Sequence, residues 1–154
     1  MTLIAILLTV LLLAIIIIDL RTQLIPDALN ALLAWLAVYN LALTMPINFW
    51  GWHAASAIVL GGMGAFFAGP YSRWRKRDML GWGDVKFFTA AGLWLPLPSI
   101  WLFLFLAGIF GIIGALIYKA RTGRAETPFA PALCIALWLC VIYGNHIAAF
   151  MNLS

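Results

Sequence analysis

Ile15-Ile16-Ile17-Ile18-Asp19-Leu20-Arg21 closes an apolar run that starts at Met1 and ends in charge. A run of about 18 residues without a charge is long enough to cross the hydrocarbon core of a bilayer as a helix. Asp19 then lies at membrane depth, where an ionisable side chain is expensive and is read first as a functional candidate. No basic region opens the run and no small-residue cleavage site follows it. It is therefore expected to stay as a true span rather than act as a removable signal peptide.

The rest of the chain repeats that pattern. Of 154 residues, 66% are hydrophobic and 9% charged, a balance that excludes an ordinary soluble domain and implies an integral membrane protein. Six apolar segments can be marked, at Met1–Ile18, Ala28–Met45, His53–Tyr71, Gly83–Leu97, Ser99–Tyr118 and Pro128–Phe150. The expected fold is an all-α membrane protein of six transmembrane helices. No linker, low-complexity tract or repeat interrupts residues 1–154, so one domain is expected. The fourth segment is short: about fifteen residues at ~1.5 Å rise cover ~22 Å of a ~30 Å core.

Charge sets the orientation. The nine Lys/Arg and five Asp/Glu residues all fall within Asp19–Asp27, Arg73–Lys86 and Lys119–Glu126, and none within Pro46–Trp52 or Pro96–Pro98. The positive-inside rule places the three charged connections in the cytoplasm and both termini outside. Phe49, Trp50 and Trp52 fit an outer aromatic belt, and Tyr71, Trp74 and Trp82 an inner one. The formal charge of +4 follows from this segregation and does not point to nucleic acid. Gly61-Gly62-Met63-Gly64-Ala65 and the triplet Gly108, Gly111, Gly114 are expected to mark close helix contacts. Cys134 and Cys140 lack metal-ligand spacing and read as packing residues. His53 and His146 lie near the outer face, away from the carboxylates, so neither a metal site nor a cofactor is expected.

A second carboxylate stands at the mouth of the fourth segment, in Gly81-Trp82-Gly83-Asp84-Val85-Lys86. Asp19 and Asp84 fall on the same side of the membrane and can share one reaction. Peptide hydrolysis by such a pair needs one ionised carboxylate to take a proton from water. The other stays protonated and hydrogen-bonds the carbonyl oxygen as it gains charge. Burial and mutual repulsion separate the two titrations, which belong to the pair. Gly81 and Gly83 give the backbone freedom for a substrate strand to pass near Asp84. Plainer readings stay open beside this one. Asp19 and Asp84 can each cap a helix, and Asp84 can pair with Lys86 or Arg77. Asp27, after Pro26, reads as a cap of the second segment, Asp78 as a solvated loop charge, and Lys86 as snorkelling to the surface.

Three stretches carry a family resemblance. Asp19-Leu20-Arg21-Thr22-Gln23-Leu24-Ile25-Pro26-Asp27 resembles the first motif of type IV prepilin peptidases, an Asp followed by Ile/Leu-Pro-Asp/Asn. Gly81-Trp82-Gly83-Asp84-Val85-Lys86 resembles their Gly-x-Gly-Asp motif, usually followed by Lys. Thr127-Pro128-Phe129-Ala130-Pro131 is similar to their late Pro-Phe-Gly-Pro element, with Ala130 where glycine is usual. The resemblance runs over roughly residues 15 to 140.

It implies an intramembrane aspartyl protease of a bacterial or archaeal cytoplasmic (inner) membrane, cutting the short basic leader from pilin-like precursors in type IV pilus assembly or protein secretion. The precursor and membrane lipid are then the partners, with no cofactor. Asp19 and Asp84 map onto the catalytic pair, while Pro26, Asp27, Gly81, Gly83 and Lys86 are supporting motif positions. Larger members carry an N-terminal extension with Cys-x-x-Cys motifs associated with methylation, and this sequence resembles the short, peptidase-only branch. The presenilin and signal-peptide-peptidase class matches only the second motif. A small transporter using Asp19 and Asp84 as ion carriers, or a non-catalytic pilus-assembly scaffold, are the readings from other classes.

Overall fold

A computed structural model describes residues 3–76, 80–123 and 127–151, with side chains through 144 in the last helix. Arg77, Asp78, Arg124, Glu126 and the His146 side chain lie outside the described residues. Among those described, the regular structure is helical throughout. It comprises α1 (Leu3–Thr22), α2 (Asp27–Thr44), α3 (Trp50–Phe66), α4 (Ser72–Arg75), α5 (Trp82–Trp94), α6 (Ile100–Thr122) and α7 (Ala130–Met151). These divide into two compact units, Met1–Gln23 with Trp101–Ser154, and Leu24–Ile100.

In the first unit, α1 packs along α7. The buried side of α1 is Leu8, Leu11, Leu12, Ile15 and Asp19, at the three- and four-residue spacing of one helical face. Asp19 thus sits where the pattern would otherwise place another aliphatic residue. Leu133, Cys134, Leu137 and Cys140 are buried on α7, and both cysteines are unbridged, consistent with packing. Trp138 Nε1–H donates to Thr9 Oγ1 at 2.9 Å, and the Thr9 hydroxyl donates to the Ala5 carbonyl at 2.7 Å. The outward faces stay apolar: Val10 is 60% and Ile112 65% exposed. Such continuous apolar exposure needs lipid around it.

The second unit is built on α5, which lies against both α2 and α3. Glycine lets α3 and α5 approach closely. A Cβ on Gly61 would strike Thr89, one on Gly64 would lie 3.4 Å from the Val85 Cα, and one on Gly92 would run into the backbone of Ser56 and Ala57. Gly92 was not among the contact glycines expected from sequence. Among the described residues nothing lies within 4 Å of a Cβ on Gly62, Gly108 or Gly114, so of the expected triplet Gly111 alone shows a close contact there, with the Phe129 ring. Two polar clamps hold the far end of α5. Trp94 Nε1–H donates to the Leu33 carbonyl at 3.1 Å, and the buried His53 Nδ1–H donates to the Leu93 carbonyl at 3.1 Å.

Among the described residues, six apolar helices thus stand where six segments were read, with shifted ends. The third helical stretch does not stop at Tyr71. A π turn at Phe67–Tyr71 carries the chain past Pro70 into α4, and Ser72 Oγ donates to the Phe67 carbonyl at 2.7 Å. Proline removes an amide from the ladder, and the wider turn with a side-chain donor re-satisfies the backbone. Four stretches among the described residues are long and apolar enough to cross a membrane: Leu3–Thr22, Asp27–Thr44, Ile47–Arg75 and Leu97–Thr122. Ala130–Gly144 is a shorter apolar helix, and α5, with 13 residues, is shorter still.

Candidate active site

Asp19 ends the buried face of α1 and is 4% exposed. The helix continues one turn past it, and Gln23, at φ 53°, closes it by donating its amide to the Asp19 carbonyl at 2.8 Å. The Asp19 carboxylate reaches α7 instead. Its Oδ2 accepts the Ala130 N–H at 3.2 Å. The first amides of a helix have no partner within it, and the positive end of the helix favours a carboxylate there. Asp19 therefore caps a helix, though not its own.

The Thr127-Pro128-Phe129-Ala130-Pro131 stretch makes this junction. The Phe129 carbonyl accepts the amides of Ala132 at 3.1 Å and Leu133 at 3.3 Å, which starts α7 and leaves the Ala130 amide free for Asp19. The Phe129 ring lies against Gly111, where a Cβ would come within 2.7 Å of it. Beside this junction, Leu20, Gly111, Tyr118, Arg121, Pro128 and Pro131 border a groove of about 370 Å³.

Asp84 belongs to the second unit, in the first turn of α5. Gly81 precedes that helix in an extended conformation, φ −71° and ψ 146°, and its carbonyl accepts the Val85 amide at 3.2 Å. The helix N-terminus favours the negative charge of Asp84 as it does that of Asp19. Asp84 is partly exposed.

The Ile25-Pro26-Asp27 stretch packs on that same turn. A Cβ on Gly83 would lie 3.3 Å from the Ile25 Cβ, so the bare face of Gly83 is taken up by Ile25 rather than left to a passing strand. At Gly81 the nearest atom to such a Cβ is Asp84 Oδ2, at 3.4 Å. Pro26 starts α2, its carbonyl accepting the amides of Leu29 and Asn30 at 3.1 and 3.3 Å. Asp27 is the first residue of α2 rather than its cap, which is Pro26. Asp27 Oδ1 and Oδ2 both accept from Lys86 Nζ at 2.6 Å. Lys86 therefore pairs with Asp27 rather than with Asp84. The two ends are 50% and 72% exposed, so the pair sits in a water-accessible layer.

Two participants escaped the sequence reading. Asn30, 4% exposed, donates Nδ2–H to the Gly83 carbonyl at 3.1 Å. The Ala130 amide is the other. A lone Asn on an otherwise apolar face was the available signal for the first, and Pro128 and Pro131 flanking a helix start for the second. Among the described residues, no three of His, Cys, Asp or Glu gather as a metal-binding group.

The sequence profile of the type IV leader peptidase family matches residues 6–116. The chain is 32% identical over 155 residues to a prepilin leader peptidase/N-methyltransferase of Aeromonas hydrophila, covering 95% of the chain and 51% of that protein. It is 32% identical over 141 residues to a protein of the same name from Dichelobacter nodosus, covering 88% and 47%. A third, from Neisseria gonorrhoeae, is 27% identical over 157 residues, covering 98% and 52%. The chain spans about half the length of the curated relatives it matches. No solved structure matches it.

Proposed function

Because the chain belongs to the type IV leader peptidase family, we propose that it is an intramembrane aspartyl endopeptidase. It cuts the basic leader from a pilin-like precursor at the cytoplasmic face, with Asp19 and Asp84 as the catalytic carboxylates. The observation that carries this reading is the placement of Asp19. A carboxylate on a buried helical face, where an aliphatic residue would serve packing better, is costly unless it is used. Asp84, in a glycine-flanked first turn, is the second carboxylate the chemistry requires.

In the reaction, the ionised carboxylate takes a proton from water as the oxygen attacks the scissile carbonyl carbon. The protonated carboxyl gives its hydrogen bond, then its proton, to the oxygen that gains charge. Collapse of the tetrahedral intermediate breaks the C–N bond: the departing amine takes the proton that came from water, and a hydroxyl returns its proton to the second carboxylate as the new carbonyl forms. No metal or cofactor enters these steps.

The 154 residues act as one integral-membrane domain with six spans, both termini outside, in a bacterial or archaeal cytoplasmic membrane. The segregation of charge into alternate connections supports this orientation. The partners are the precursor and surrounding lipid. The direct test is co-expression with a protein that carries a basic leader before an apolar helix, followed by N-terminal sequencing of the product. A new N-terminus at the leader junction is expected, and an intact precursor would count against the proposal.

A further inference from the structure

Asn30 shares the buried face of α2 with Leu33, Leu36, Ala37 and Leu41, and is the polar member of that set. Its Nδ2–H donates to the Gly83 carbonyl at 3.1 Å, while its Oδ1 is buried with no hydrogen-bond partner among the described residues. An amide with an unpaired acceptor is a poor space-filler, because leucine has a similar volume and loses nothing on burial. Packing does not account for Asn30. The bond to Gly83 does.

The Gly83 carbonyl and the Asp84 amide belong to one planar peptide unit. Holding that oxygen fixes the plane from which the Asp84 side chain departs. Helix ends fray, and this one carries glycine at 81 and 83, which widens the conformations open to it. One helical position corresponds to ~100° about the axis, so a small roll of the first turn swings the carboxylate away. The Lys86–Asp27 pair also spans α5 and α2, but its exposure makes it a weak restraint.

We propose that Asn30 is a positioning residue for Asp84, holding the first turn of α5 in catalytic register through the Gly83 carbonyl. This rests on the reading of Asp84 as a catalytic carboxylate.

The test uses the purified full chain in lipid nanodiscs with a pilin-like precursor. Asn30→Leu should lower kcat at least tenfold, leave KM within about twofold, and keep the thermal midpoint at or above that of the unsubstituted protein. Hydrogen exchange should rise in peptides covering 82–86 and not along the rest of α2 and α5. Asn30→Thr, which keeps a donor, should recover part of kcat. Unchanged kcat in Asn30→Leu overturns the proposal. So does a failure of that variant to fold, or exchange raised throughout both helices, since either outcome assigns Asn30 to the fold rather than to Asp84. Asp84→Asn in the same assay separates the two readings. If it still cleaves, the catalytic assignment fails. If it is inactive while the Asn30 variants are fully active, only the positioning role fails.

Discussion

The Ala130 amide donates to Asp19 Oδ2 at 3.2 Å across 111 residues of chain. The bond joins the first carboxylate motif to the late Pro-Phe-x-Pro element, for which sequence alone supplied a resemblance but no task. It also separates the backbone requirement at position 130 from its side chain. Ala130→Gly keeps the donor and should retain most activity. Ala130→Pro removes the donor at a first helical position, where proline is otherwise well accepted. A hydrogen bond to a charged group contributes about 1.5–3 kcal/mol, so the proline variant should cleave roughly ten- to hundredfold more slowly. Steady-state kinetics with matched thermal midpoints checks this. Equal rates for the two variants would show that the amide does not matter.

Lys86 and Asp27 form a short ion pair in an exposed layer, and such pairs stabilise by about 0–1 kcal/mol. Asp27→Asn and Lys86→Met should each shift the thermal midpoint only slightly, and Asp27→Asn should keep substantial cleavage. A double-mutant cycle should give a coupling below about 1 kcal/mol that shrinks as salt rises. A larger, salt-insensitive coupling would place the pair in a far drier environment.

Glycine positions on α3 and α5 should form a graded series. At Gly92 a new Cβ meets backbone atoms of Ser56 and Ala57, which cannot turn aside. Gly92→Ala should therefore cost about 1–3 kcal/mol. At Gly62 nothing lies within 4 Å, so Gly62→Ala should be neutral or stabilising by about 0.5–1 kcal/mol through helix propensity. Thermal midpoints of the two variants in one detergent decide the order, and a reversed order would contradict the close approach of α3 and α5.

The proposed orientation is open to labelling. With Cys134 and Cys140 replaced, Asn48→Cys should react with a membrane-impermeant thiol reagent in intact cells. Arg75→Cys and Thr122→Cys should react only after permeabilisation. The opposite pattern would invert the topology.

Much of the fold was legible because apolar runs and charged connections alternate so cleanly. The six helices fall within a few residues of the segments read from the chain. Errors arose where tertiary contacts override local signals. The third segment was read as ending at Tyr71, yet the chain stays helical through Phe67–Tyr71 into α4, with Ser72 supplying a donor beside Pro70. Gly108 and Gly114 looked like contact positions, but spacing says which residues share a face, not whether a neighbour covers it. Asp27 looked like a cap because it follows Pro26, and its partner is 59 residues away in sequence. Asn30 was overlooked because one polar residue hardly disturbs an apolar pattern, and its partner is a backbone carbonyl that no side-chain motif reveals.

The central claim is that Asp19 and Asp84 work as one catalytic unit. The measurement that tests it most directly is single-turnover cleavage of a pilin-like precursor by purified Asp19→Asn, Asp84→Asn and the double variant, each checked for membrane insertion and thermal midpoint. Groups that act as a unit are strongly non-additive. Each single variant should therefore lose cleavage entirely, and the double variant should be no worse than either. Appreciable turnover by Asp84→Asn or Asp19→Asn, in protein that is properly inserted and folded, would contradict the aspartyl mechanism.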